Sequence, residues 1–251
     1  MEWFRHFYQD DYFEYRFKER LDEVPAEEVD FIFEHGRLGR TGGRRPRVFD
    51  ICCGVGRHAR PLAARGCEAI GVDLAERNIA AAAERAWAEG LADRCRFVHA
   101  DIRTFDPPAD CDLAINIFTS FGYFGGDAAD AVIMAKAAQS LRPGGRFILD
   151  VVNREAVVRG FKPRQRRGRP GNYVIEESRL DLAAGGLIAR WTFVRGRHRS
   201  EHTITIRLYA LHELVRMAAE RGLRFLEACG DFDGSAYGPG SPRCILVAEK
   251  T

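Results

Sequence analysis

The chain has 251 residues and is 46% hydrophobic, which is enough to bury the core of one large α/β domain or of a domain with a cap. Its 38 basic and 36 acidic residues leave a formal net charge of +2, so no strong overall field directs it to nucleic acid or to a membrane surface. No apolar run approaches a membrane span, the first residues lack a signal-peptide core, and the seven cysteines form no paired C-x-x-C pattern, which together predict a cytoplasmic protein with reduced thiols.

Residues 1–46 are predicted to form an amino-terminal helical lid. Eight aromatic residues fall within the first twenty positions, which is too many for a solvated tail, so some other part of the chain must cover their rings. A helix packed on the core and a lid over a bound ligand both account for them. Pro25 suits the first turn of a helix whose residues Val29, Ile32 and Phe33 share one face.

Residues 47–73 have the pattern of a strand, a glycine turn, a helix and a second strand. Gly54 and Gly56 let the backbone turn tightly against a ligand. Asp50 and Asp73 each lie at the carboxyl end of a strand, and ligands bind at that edge of an open α/β sheet. The pattern therefore predicts a ligand site that carries two acids.

The nature of that ligand is decided by Asp50. Residues 54–59 also satisfy the loose dinucleotide pattern G-x-G-x-x-A, but the Asp50 carboxylate beside the turn would repel a pyrophosphate. S-adenosylmethionine instead brings a cationic amino group and a sulfonium, which an acid attracts. Asp73 can then accept hydrogen bonds from both ribose hydroxyls. The two acids favour S-adenosylmethionine over a dinucleotide.

The segments D-I-C-C-G-V-G at residues 50–56 and G-V-D-L at residues 71–74 resemble motif I and the ribose acid of class I S-adenosylmethionine-dependent methyltransferases. The resemblance implies a Rossmann-like, seven-stranded α/β sheet with an antiparallel final strand, S-adenosylmethionine as cofactor and S-adenosylhomocysteine as product. The family often has glycine where this chain has Cys52, so that position must adopt a backbone conformation that a side chain tolerates. The cofactor-binding residues that we expect are Tyr12, Asp50, Cys53, Gly54, Gly56, Arg57, Asp73, Leu74, Asp101, Ile102 and Asn116.

Two further strands carry parts of this expected site. Residues 95–100 form the third strand, which ends in Asp101 and Ile102. In related methyltransferases an acid here accepts the adenine amino group and the next apolar side chain packs on the ring, although Asp101 could instead cap a turn. Residues 111–117 form the fourth strand, and Asn116 near its end fits the next motif of the family. The adjacent Cys52 and Cys53 should point to opposite faces of a strand, which suits packing and not a metal.

An aromatic loop at residues 118–124 follows the fourth strand and is either a substrate wall or a filler beneath the amino-terminal helix. Methyl transfer from a sulfonium is an in-line displacement, so few catalytic residues are needed. His202 and His99 are the available bases, with packing as the alternative role for each, and Tyr123 and Tyr12 are candidate orienting groups. The predicted catalytic residues are Tyr123 and His202, and the predicted substrate-binding residues are Tyr15, Phe121, Tyr123 and Arg207.

The remaining chain completes a core at residues 47–153 and 210–251, with an inserted flap at 154–209. Three β-rich runs in the insertion, separated by glycines, predict a three-stranded antiparallel sheet. The last two strands lack a crossover helix between them, which predicts an antiparallel pair. Sugar N-methyltransferases of the glycine N-methyltransferase-like group have a similar insertion, and their S-S-I-G loop resembles T-S-F-G-Y at residues 119–123.

These features predict a methyltransferase that acts on the nitrogen or oxygen of a small molecule. The arginine-rich residues 159–169 leave open an RNA methyltransferase, although a solvated loop explains them equally well. A non-catalytic cofactor-binding or dimerisation protein is a third hypothesis, and an NAD-linked oxidoreductase is disfavoured by Asp50 and by the final strand pair. We expect no nucleic-acid or membrane partner and no metal, and either a monomer or a homodimer formed through the flap.

Overall fold

The computed structural model describes residues 2–8, 11–18, 23–40 and 42–251. Their strands are, in chain order, β1 (Arg47–Ile51), β2 (Glu68–Asp73), β3 (Cys95–His99), β4 (Cys111–Asn116), β5 (Leu141–Val152), β6 (Arg164–Arg169), β7 (Asn172–Asp181), β8 (Gly186–Arg195), β9 (His198–Arg207), β10 (Leu223–Cys229) and β11 (Arg243–Lys250). Seven of them form one sheet in the order β10-β11-β5-β4-β1-β2-β3, and the other four form a second sheet in the order β6-β7-β8-β9.

Helices cover both faces of the seven-stranded sheet. The α-helices of the described residues are α1 (Phe4–Phe7), α2 (Asp11–Lys18), α3 (Ala26–His35), α4 (Ala59–Ala64), α5 (Glu76–Ala88), α6 (Asp127–Ser140), α7 (Arg154–Arg159) and α8 (Leu211–Ala219). Successive strand residues point to opposite faces, so Phe49 joins the apolar layer beneath α6 and α8, whereas Val48 joins the layer beneath α3. Among the described helices, none is both long enough and apolar enough to cross a bilayer.

The direction of the strands confirms the predicted fold class. β1 pairs in parallel with β2 and β4, β2 with β3, and β4 with β5. β11 pairs antiparallel with both β5 and β10. The sheet is therefore a Rossmann-like α/β sheet whose final strand is antiparallel.

The inserted sheet is antiparallel, as predicted, but it has four strands and not three. The additional strand, β6, comes from the arginine-rich run, for which the sequence predicts a solvated loop, and it pairs with β7 along its whole length. Its arginines find partners on β7: Arg166 lies over the Tyr173 ring at 4.2 Å, and Arg167 approaches Glu176 at 3.8 Å. β6 lacks apolar alternation, which is why its sequence gives no strand signal.

The amino-terminal segment packs against this second sheet through aromatic rings. Phe7 is buried and lies 5.6 Å from Trp191 and 4.8 Å from Tyr12, measured between ring centroids. The Trp3 indole nitrogen donates a hydrogen bond of 3.0 Å to the Thr205 carbonyl of β9. The flap thus covers part of the aromatic cluster that the sequence required to be covered, including Trp3, Phe7 and Tyr12.

The glycine turn follows β1 directly and uses backbone conformations that favour glycine. Gly54 and Gly56 have φ of 55° and 70°, and Cys52 has φ of 60°. Cys52 lies in the small left-handed region, which a side chain tolerates at a cost of about 1 kcal/mol or more. The sequence predicts Cys52 and Cys53 on a strand, but β1 ends at Ile51, so both lie in the turn that follows it.

Candidate active site

A cleft with about 680 Å³ of empty space opens at the carboxyl ends of the parallel strands. This is the edge at which open α/β sheets bind ligands. The cleft is lined by Phe4, Tyr8, Cys52, Gly54, Val72, Asp73, Leu74, Ala75, Asn78, Ala100, Asp101, Ile102, Ser120, Tyr123 and Phe124. It therefore brings together six predicted site residues, namely Gly54, Asp73, Leu74, Asp101, Ile102 and Tyr123.

Asp73 at the end of β2 is oriented by three donors. Its carboxylate accepts hydrogen bonds from the Gly54 amide at 2.9 Å, the Ala75 amide at 2.8 Å and the Asn78 side chain at 3.4 Å. The first of these bonds ties the glycine turn to the neighbouring strand, and the second fixes the start of α5. These bonds hold the Asp73 carboxylate in place at the wall of the cleft.

Asp101 at the end of β3 belongs to an ion network with the amino-terminal segment. Its carboxylate accepts hydrogen bonds from Arg103 at 2.6 and 2.9 Å and from Arg5 at 3.1 Å. Glu2 bonds to both of these arginines. The bonds from Arg103 hold the pKa of Asp101 below its ordinary value, so this carboxylate is ionised at neutral pH. An adenine amino group would share Asp101 with two guanidinium groups.

Asp50 is buried and lies outside the residues that line the cleft. It is 2% exposed, and its Oδ2 has no hydrogen-bond partner among the described residues. Burial, and after it the negative charge of Asp73, raise the pKa of Asp50 to about 8. The sequence predicts that this carboxylate lies beside the ligand, whereas the structure buries it beneath the residues that line the cleft. A cation in the cleft would therefore interact with Asp50 at longer range.

A second, more open cleft shares Phe4, Tyr123 and Phe124 with the first. It has about 1380 Å³ of empty space and lies between the amino-terminal segment, the glycine-rich residues 122–126 and the flap. At the boundary of the two clefts, the Tyr8 and Tyr123 hydroxyl groups are 2.7 Å apart and share a hydrogen bond. Tyr123 thus lines both spaces and carries a polar group between them.

Arg207 lines the second cleft, but its guanidinium is engaged by the protein. It donates to Glu213 at 2.5 Å and to the Leu208 carbonyl at 2.7 Å, and it lies over the Tyr209 ring at 4.6 Å. These bonds hold the base of the flap against α8. The geometry therefore gives Arg207 a structural role, and its predicted contact with a substrate stays a prediction.

Several other predicted site residues lie away from both clefts. Tyr12, Tyr15 and His202 belong to the aromatic packing between the amino-terminal segment and the flap, where His202 lies 5.7 Å from Phe7. Phe121 is buried against Tyr209 in the core. His202 as a catalytic base, and Tyr15 and Phe121 as substrate contacts, are therefore not supported by the geometry.

The remaining predicted cofactor residues pack around the glycine turn and do not line the cleft. Arg57 is buried, donates to Glu28 at 3.0 Å and lies over the Phe118 ring at 4.7 Å. The Asn116 amide donates 2.8 Å to the Ile51 carbonyl, which links β4 to β1. Cys53 is buried, and a Cβ on Gly56 would lie 2.7 Å from the Phe97 ring. None of Cys53, Gly56, Arg57 and Asn116 lines the cleft.

Sequence reasoning missed Phe4, Tyr8 and Asn78. Phe4 and Tyr8 carry the same aromatic signal as Tyr12 and Tyr15, and only the docking of α1 decides which rings reach the cleft. Asn78 follows Asp73 by five residues on α5, and the start of that helix at the strand end could have indicated it.

Comparison with known proteins agrees with this geometry. Residues 48–145 match the family model described as "Methyltransferase domain". A ubiquinone biosynthesis O-methyltransferase of Rhizobium etli is 27% identical over 191 residues, which cover 74% of this chain and 63% of that protein. The chain thus matches less than two thirds of the length of this curated relative.

Solved structures share the fold across most of the chain. The CcbJ methyltransferase of Streptomyces caelestis superposes with a TM-score of 0.78 at 23% identity, covering 91% of each chain. CalS10, an amino pentose methyltransferase of Micromonospora echinaspora, superposes with a TM-score of 0.66 at 19% identity, covering 96% of this chain and 97% of that one. Residues 48–145 therefore resemble a methyltransferase domain, and the sheet that carries them has the methyltransferase fold.

Proposed function

We propose that the chain is an S-adenosylmethionine-dependent methyltransferase that transfers a methyl group to a nitrogen or oxygen atom of a small molecule. The observation that carries the proposal is Asp73, which lines the cleft and is bonded to the Gly54 amide of the turn. An acid fixed at this place suits two ribose hydroxyls as a bidentate acceptor. The buried Asp50, with one oxygen unpartnered among the described residues, adds negative potential that suits a cation once its carboxyl group is ionised.

The residues that would hold the donor lie along the edge of the sheet. Asp73 would accept from the ribose hydroxyls, Ile102 and Leu74 would pack on the adenine, and Asp101 would accept from its amino group. When bound, S-adenosylmethionine supplies a methyl carbon already activated by the sulfonium. The protein then has mainly to align the acceptor and exclude water, and Phe4 and Phe124 line the cleft as apolar shielding.

The second cleft is the proposed acceptor site. Its space exceeds that of the first cleft, and it meets the first at Tyr123, where the acceptor atom and the methyl group must come together. The Tyr8 and Tyr123 hydroxyl groups can orient an amine or hydroxyl acceptor by hydrogen bonds. The names of two similar proteins support a small acceptor, since one is an amino pentose methyltransferase and the other a ubiquinone biosynthesis O-methyltransferase.

Calorimetry with the full chain tests the donor site. S-adenosylmethionine or S-adenosylhomocysteine should bind, and NAD should not. Asp73→Ala should weaken that binding about 100-fold, because hydrogen bonds to a charged acceptor contribute roughly 1.5–3 kcal/mol each. Binding of NAD without either sulfur ligand would refute the donor assignment.

Turnover separates an enzyme from a silent cofactor-binding protein. Release of S-adenosylhomocysteine would be measured with a panel of amino sugars, amines and phenols. The same assay with RNA at low salt tests the arginine-rich strand β6. Binding of the donor without turnover on any acceptor would contradict the enzymatic part of the proposal.

A further inference from the structure

Three side chains with metal-binding atoms meet at the edge of the sheet farthest from β3. His35 is the last residue of α3, and Glu227 and Cys229 lie two residues apart on β10. The imidazole nitrogen, a carboxylate oxygen and the thiol sulfur all lie within 4.8 Å of one another. None of the three residues lines either cleft described above.

The fold positions this cluster before any ion binds. The His35 ring stacks on the Phe31 ring at 4.0 Å, and Phe31 in turn packs edge-on against Phe232 at 5.5 Å. His35 Nδ1 and a carboxylate oxygen of Glu227 are 2.9 Å apart. Cys229 is buried and is fixed by its pairing with Ile245 of β11. An ion would therefore order few additional groups on binding, which limits the entropic cost.

The chemistry of these three atoms favours zinc over calcium or magnesium. Sulfur and imidazole nitrogen bind borderline-soft cations, whereas Ca²⁺ and Mg²⁺ take oxygen ligands. Zinc lies about 2.0–2.3 Å from such ligands, so tetrahedral ligand atoms are about 3.3–3.8 Å apart. The spacing of the cluster requires movements of only about 1 Å to reach that arrangement.

The surroundings also suit a cation that has one coordination position open to solvent. His35 ends a ten-residue helix, and the carbonyl groups of that terminus carry partial negative charge. Glu227 is exposed, so a water molecule can complete the tetrahedron from the solvent side. We propose that His35, Glu227 and Cys229 form a zinc site that fastens α3 to the edge strand β10.

Titration of the metal-free chain with Co²⁺ tests the site through a spectroscopic signature. Cobalt bound by a thiolate gives a sulfur-to-metal charge-transfer band and tetrahedral d–d bands. We expect both, with one ion per chain, and displacement by Zn²⁺. The charge-transfer band should be lost in Cys229→Ser and retained in Cys95→Ser, which removes another buried thiol far from this cluster.

The two other ligands provide an independent test. His35→Gln and Glu227→Gln should each weaken Zn²⁺ binding at least about 10-fold, as loss of a ligand does at such sites. Because Glu227 is exposed, its substitution keeps the proposal falsifiable even if Cys229→Ser does not fold. Absence of the charge-transfer band in the unmodified chain, its persistence in Cys229→Ser, or unchanged Zn²⁺ affinity in Glu227→Gln would overturn the proposal.

Discussion

Asp50→Asn tests the electrostatics of the buried acid directly, because it removes the charge with little change in shape. Burial raises the pKa of Asp50 from the ordinary value of 3.8 to about 8 in the folded chain. Between these pH values the folded chain holds a proton that the unfolded chain has released. The stability of the folded chain must therefore fall as the pH rises through this window.

The magnitude follows from the width of the window. One pKa unit corresponds to about 1.36 kcal/mol, so between pH 5 and pH 8 the native chain should lose about 4 kcal/mol of unfolding free energy through Asp50. The variant lacks this loss. The unfolding free energy of Asp50→Asn minus that of the native chain should therefore rise by about 4 kcal/mol between pH 5 and pH 8. This change does not depend on how much the substitution destabilises the chain at pH 5.

Urea unfolding followed by circular dichroism at pH 5 and pH 8 measures this difference. Asp112→Asn is a matched control, because Asp112 accepts from Arg44 and Arg142 and its pKa is lowered in the folded chain. The contribution of Asp112 is lost as the pH falls through its lowered pKa, so it should not vary between pH 5 and pH 8. An Asp50→Asn difference that is equal at the two pH values would refute the account of Asp50.

The remaining predictions concern the cleft. S-adenosylmethionine affinity should rise from pH 6 to pH 9, because Asp50 ionises, and this rise should be absent in Asp50→Asn when measured by calorimetry. Tyr123→Phe should lower turnover about 10-fold with donor affinity unchanged, which steady-state kinetics with the identified acceptor would check. Arg5→Met should speed association of S-adenosylmethionine in stopped-flow fluorescence, because it removes a link to Asp101, while unfolding changes by less than about 1 kcal/mol. Slower association would contradict this view of the amino-terminal segment.

The elements that could be predicted from the sequence are those with a local signal. Gly54 and Asp73 each carry a backbone or charge requirement that is visible in a few residues, and the antiparallel β11 follows from the missing crossover helix. β6 could not be predicted, since its pairing depends on contacts such as Arg166 on Tyr173. The burial of Asp50 depends on the packing of the whole turn, which no short pattern encodes.

The amino-terminal segment shows the same limit at the level of single rings. Tyr8 reaches the cleft and Tyr12 packs toward the flap, although both stand among the same charged and aromatic neighbours. Their difference arises from how α1 docks on β9, which is a property of distant residues. Composition could indicate that the rings are covered, but it could not indicate which ring faces a ligand.

β11 lies between β5 and β10 in the sheet although it follows both of them in the chain. While residues 243–250 are still inside the ribosome, the edge of β5 that later pairs with β11 is open, and β10 lacks its pairing with β11. A nascent chain therefore exposes unpaired backbone groups that can bind other strands. The same residues bring Ile245, Leu246 and Val247, all fully buried, into the two apolar layers. Completion of this sheet thus waits for residues 243–250, and a nascent chain stalled before β11 should depend on chaperones to remain free of aggregation.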